Sequence, residues 1–99
     1  MSHPLRMRRA EMGISRTDFV RVFPNIVGDG DCHWQDTAVR VSWPAGKTVA
    51  ITLSPERVRR IASLSIPSLD VEFEFTGMST TECESFMQRF DRAFHKGGG

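Results

Sequence analysis

A chain of 99 residues with 39% hydrophobic and 25% charged side chains has the make-up of one small globular domain, which excludes a disordered polymer. Its formal net charge of +1 supplies no global field toward nucleic acid or an anionic membrane. Two cysteines, Cys32 and Cys83, are too few for a disulfide framework, and no apolar run approaches the ~20 residues of a membrane span, so a cytoplasmic protein is expected.

Met1 to Gly13 is basic and reads as a flexible tail, with a frayed helix over Leu5–Met12 as the alternative. Arg6, Arg8 and Arg9 interrupt every early apolar run, so no secretory leader is expected. Ser15-Arg16-Thr17-Asp18 then resembles a helix start, with Ser15 as cap and Asp18 at the positive end of the dipole. Phe19, Val20, Val22 and Phe23 supply the apolar face, and Pro24 ends or kinks the helix at Phe23.

Gly28-Asp29-Gly30-Asp31 is a turn signal, followed by a short strand at Cys32-His33-Trp34. Thr37 to Trp43 and Thr48 to Leu53 alternate with period two through Val39, Val41, Trp43 and Val49, Ile51, Leu53. Pro44-Ala45-Gly46-Lys47 between them suits a hairpin loop in which Gly46 takes positive φ. Ser54-Pro55-Glu56 has the order of an N-cap, a first-turn proline and an acid, predicting a short helix over Pro55–Ser63.

Leu69 to Phe75 alternates apolar with acidic residues and predicts a half-buried strand. Ser79-Thr80-Thr81-Glu82 is a capping box, with Met78 and Cys83 at the staple positions. Cys83, Phe86, Phe90 and Phe94 follow at helical spacing, and Arg92, His95 and Lys96 lie near the negative end of the dipole. Gly97-Gly98-Gly99 reads as a C-cap and flexible tail.

The resulting expectation is an α+β domain over residues 14–96. A small antiparallel sheet of three to four strands has one face covered by an N-terminal helix and a long C-terminal helix, and a short helix separates the last two strands. The uncovered face would carry Arg40, Ser42, Ala50, Thr52, Glu72 and Glu74, without the exposed aromatics of an RNA-recognition sheet.

Chemistry is sparse. Asp29, Asp31, Cys32, His33 and Asp36 are the densest set of metal-ligand types, so a metal-binding loop is one alternative. The calcium-loop pattern fails, because Trp34 stands where glycine is needed and Arg40 where the bidentate acid belongs. No nucleophile elbow, phosphate loop or dinucleotide fingerprint occurs, so no enzyme activity and no cofactor are expected. Arg57, Arg59 and Arg60, joined by the basic tail, would form a nucleic-acid surface; the near-neutral charge and the acidic band Asp70–Glu84 disfavour it.

The terminal glycines invite comparison with ubiquitin-like carriers, but those run a strand into the glycines and this chain runs a helix. Eleven of the thirteen cations are arginine, which fits a GC-rich bacterial coding bias as well as anion recognition. What remains is a small bacterial accessory or protein-binding module, with a protein partner or self-association as a homodimer. Arg40, Glu72 and Glu74 on the open sheet face are the first candidate surface, and Arg57, Arg59 and Arg60 the second.

Overall fold

The computed structural model describes residues 4–97. Six strands and two helices follow in the order β1 (Leu5–Met12), α1 (Arg16–Val22), β2 (Asp31–Trp34), β3 (Ala38–Trp43), β4 (Lys47–Leu53), β5 (Arg57–Ile61), β6 (Leu64–Thr76) and α2 (Thr80–Gly97). The sheet is antiparallel throughout, in spatial order β1-β6-β4-β3-β2, and β5 pairs with the N-terminal part of β6. The α+β class and the long C-terminal helix agree with expectation, while the sheet holds six strands where three to four were predicted.

Two predicted segments change type. Residues 5–12 of the expected tail form β1, an edge strand paired with β6. Its alternation of half-buried Leu5 and Met7 with exposed Arg6 and Arg8 is a strand signal masked by the arginines. Those arginines find their counter-charges across the ladder: Arg6 lies opposite Glu74 and pairs with it, and Arg8 lies opposite Glu72 and pairs with Asp70 further along β6. Residues 1–3 and 98–99 of the two expected tails lie outside the described residues, and α2 itself runs to Gly97.

The second change is at Pro55–Ser63, where the predicted helix is replaced by β5 and a turn. The helix-start signals are consumed elsewhere. Ser54 Oγ accepts the Asp70 N–H at 2.8 Å, and Glu56 accepts the Arg16 N–H at 2.7 Å, so the acid serves the start of α1. A nine-residue helix has little stability of its own, whereas Val58 and Ile61 favour a strand and β6 offers a partner.

Elsewhere the local signals hold. Ser15 Oγ accepts the Asp18 N–H at 3.1 Å, and α1 passes at Phe23-Pro24 into a 3-10 turn ending at Ile26. In the capping box Ser79 Oγ accepts the Glu82 N–H at 3.1 Å and Glu82 accepts the Ser79 N–H at 2.9 Å. Glu82 also pairs with Lys47, and both interactions, the lysine first, lower its carboxyl pKa. In the β3–β4 loop Ala45 shares positive φ with Gly46.

The core lies between one sheet face and the helices. Val39, Val41, Val49, Ile51, Leu69, Val71, Phe73 and Phe75 meet Cys83, Phe86, Met87, Phe90 and Phe94 of α2 and Phe19 and Phe23. Within it the Phe90 ring lies 4.9 Å from Phe73 and 4.4 Å from Phe94. Trp43 donates its indole N–H to the Val27 carbonyl at 3.0 Å, tying the segment after α1 to the sheet.

Candidate functional site

The open face of the sheet is built by register. His33, Arg40, Ala50, Glu74 and Arg6 form one row across β2, β3, β4, β6 and β1, and Ala38, Thr52, Glu72 and Arg8 form the next. Antiparallel partners share a face, so Arg40, Glu72 and Glu74 do lie on one surface. Small residues at Ala50 and Thr52 leave two shallow depressions, one bounded by Arg6, Glu72 and Glu74 and the other by His33, Gln35 and Arg40.

Much of the charge near this face is already compensated. Arg6 pairs with Glu74 at 3.2 Å, and Arg8 with Asp70 at 3.2 Å. On the helix-covered side of β1, opposite Val71, Arg9 grips Asp91 of α2 through two bonds of 2.9 and 2.8 Å, which raises the guanidinium pKa. The basic N-terminal run and the acidic 70–74 run, separate in the chain, are neighbours in the sheet and answer each other.

Asp70 collects most of these bonds. It accepts Arg57 at 3.0 and 3.4 Å, Arg8 at 3.2 Å and the Glu11 N–H at 2.7 Å. The Arg57 bond foremost, then the Glu11 amide, hold its carboxyl at a pKa of about 2. Glu11 has φ +54 and sits where the β1–β6 register shifts, so the bulge aims its amide at Asp70. Asp70 thereby fastens β1 and β5 to β6 at the point where β6 leaves the main sheet.

Beyond that point β5 and the start of β6 form a projecting two-stranded arm, closed by a two-residue turn at Ala62-Ser63 with Ala62 at φ +55. At ~3.3 Å per residue the 13-residue β6 is about 43 Å long, which accounts for the 49 Å long axis of a molecule otherwise 25 by 23 Å. Arg57, Arg59 and Arg60 all lie on this arm. Val58, Ile61 and Leu64 are 63%, 50% and 62% exposed there. Across the ladder Ile61 faces Leu64 and Arg59 faces Ile66 on one side, while Val58 with Pro67 and Arg60 with Ser65 occupy the other.

The Ile66 side leads into an open groove of about 830 Å³ at the arm's root, lined by Met12, Gly13, Ile14, Phe94, Arg92 and His95. A Cβ built on Gly13 would lie 3.6 Å from the Ile66 methyl, so the β1–α1 connection and the arm touch at the groove floor. Sequence reasoning missed this surface because it placed residues 55–63 in a helix.

The remaining candidates do not gather into a constellation. Cys32 lies opposite Val41 on the core side and His33 opposite Arg40 on the open side, so the two diverge. Among the described residues no three of His, Cys, Asp and Glu converge as metal ligands would. Burial first, then Asp31, raises the Cys32 thiol; burial first, then Glu82, raises that of Cys83, the opposite of an activated nucleophile. Cys83 and His95 sit twelve residues apart on α2, about 18 Å along its axis. Among the described residues no helix is long and apolar enough to cross a membrane. In comparisons with known proteins, the chain matches no family model, no curated protein and no solved structure.

Proposed function

We propose that this chain is a non-catalytic protein-binding accessory module whose docking surface is the β5–β6 arm with the groove at its root. The observation that carries this reading is the exposure of Val58, Ile61 and Leu64 on a ribbon that projects from the core. A two-stranded ribbon is marginal by itself, and fully burying a side chain such as Val, Leu or Ile contributes about 1.5 to 3 kcal/mol. A partner laid on the arm would therefore gain affinity and order the arm together.

Charge favours a protein partner over a nucleic acid. Of the arginines available to a phosphate surface, Arg6, Arg8, Arg9 and Arg57 are each engaged by a carboxylate of this chain. Arg59 and Arg60 form no ion pair among the described residues. Two phosphate contacts on a duplex would give a log–log salt slope of only about −2. The face carrying Arg40, Glu72 and Glu74 is the second candidate surface, supported by its two depressions. The raised thiols speak against nucleophilic catalysis.

The test is a photo-reactive side chain at Ile61 or Leu64 in the cells that make the protein, with exposed Gln88 of α2 as control. A discrete protein adduct from the arm and none from Gln88 is expected, and an adduct with a second copy of the chain would identify a homodimer. Absence of arm adducts, or adducts with nucleic acid, would overturn the reading.

A further inference from the structure

We infer that the segment received by the arm and groove is acidic and amphipathic, apolar along one side and carrying carboxylates along the other. This rests on the protein-binding reading above and adds the chemistry of the partner.

The argument is charge complementarity around an apolar strip. Ile61 and Leu64 near the arm's tip share a ribbon face with Ile66, which lines the groove with Met12, Ile14 and Phe94. Along that strip the charged groups are Arg59, opposite Ile66, Arg57 with its acceptor Asp70 where the ribbon meets the sheet, and Arg9, Asp91 and Arg92 around the groove. Asp70 and Asp91 are their two carboxylates, the first held by Arg57 and Arg8 and the second by Arg9 through both its oxygens. That leaves Arg59 and Arg92, neither of which makes an ion pair among the described residues. An apolar floor bordered by two uncompensated guanidinium groups suits a segment that buries apolar side chains and presents carboxylates to bidentate forks.

The same inventory disfavours a second copy's arm as occupant. That arm would bring its own Arg59 toward Arg92, placing like charges together at an interface. An RNA or DNA backbone would satisfy the guanidinium groups but leave the Ile61, Leu64 and Ile66 strip without an apolar partner.

Three labelled 12-residue peptides test the inference by fluorescence anisotropy: one alternating Glu and Leu, one Lys and Leu, one Glu and Ser. A single-stranded and a duplex oligonucleotide complete the set, with sedimentation of the unliganded protein alongside. The Glu–Leu peptide is expected to bind at least tenfold tighter than the others. Arg59→Glu with Arg92→Glu should reverse the preference toward Lys–Leu, and Leu64→Ser should weaken binding of Glu–Leu several-fold. Both arginines and Leu64 are exposed, and circular dichroism of each variant should match the parent.

Equal binding of the three peptides, preference for an oligonucleotide, or a dimer abolished by Leu64→Ser would each overturn the inference. Failure here together with protein adducts from Ile61 or Leu64 refutes only the partner's chemistry. Absence of those adducts refutes the protein-binding reading itself.

Discussion

Alanine at Gly77 and alanine at Gly46 impose the same backbone conformation on the new side chain and meet different surroundings. Both glycines have φ +73, so each substitution carries the left-handed cost of about 1 kcal/mol. At Gly46 the added Cβ has open space, with no atom within 4 Å. At Gly77 it would lie 2.5 Å from the Gly46 carbonyl oxygen and 3.2 Å from the carbonyl carbon, both backbone atoms that cannot rotate aside. Overpacking of this kind adds about 1 to 3 kcal/mol. Gly77→Ala should therefore cost about 2 to 4 kcal/mol and Gly46→Ala about 1.

At about 4 to 8 °C per kcal/mol for a domain of this size, the melting temperature should fall roughly 8 to 32 °C in the first case and 4 to 8 °C in the second. Urea unfolding followed by circular dichroism and by tryptophan fluorescence measures both. Equal losses in the two variants would refute the close approach between the β6–α2 junction and the β3–β4 loop.

Phe90→Ala removes a fully buried ring from between Phe73 and Phe94 and should cost about 3 to 5 kcal/mol in the same urea experiment. Asp70→Asn should raise amide exchange across Arg57–Ile61 with little change in the core strands, because Arg57 and Arg8 lose their shared acceptor. Asp70 has a folded pKa depressed to about 2, so its contribution is full above the ordinary carboxylate range and is lost as pH falls through about 2. Protection of β5 in the parent chain should follow that acid limb, and the Asn variant should lack it. Ala62→Gly relieves positive φ at the arm's turn and should slow exchange in β5 by up to about fivefold, as expected for up to ~1 kcal/mol of local gain.

Much of the fold was legible in the sequence because local and tertiary preferences coincide there. The capping box at Ser79–Glu82, the proline after Phe23 and the alternation of Val39–Trp43 each state locally what packing also requires. β1 was illegible because it owes its conformation to β6, far away in the chain. The arm was illegible because the helix-start signals at Ser54-Pro55-Glu56 masked a hairpin closed at Ala62-Ser63. Arg6, Arg8 and Arg9 look like a solvated tail until Glu74, Asp70 and Asp91 are placed beside them. Ser54-Pro55-Glu56 looks like a helix start until Asp70 and Arg16 claim its two polar side chains.

The placement of the candidate surfaces follows the same division. Arg40, Glu72 and Glu74 were assigned to one face by alternation alone, and the register puts them there. The arm's exposed apolar strip had no sequence signature, because Val58 and Ile61 at helical spacing suggest an inward stripe. The one available hint was the β-branched content of Arg57–Ile61 beside a long period-two strand.

Photo-crosslinking yield from Leu64 set against Thr52 tests the central claim most directly, since the first lies on the arm and the second on the open sheet face. If the arm is the docking surface, Leu64 gives a discrete protein adduct and Thr52 gives little. Adducts confined to Thr52, or equal and diffuse at both, would contradict it.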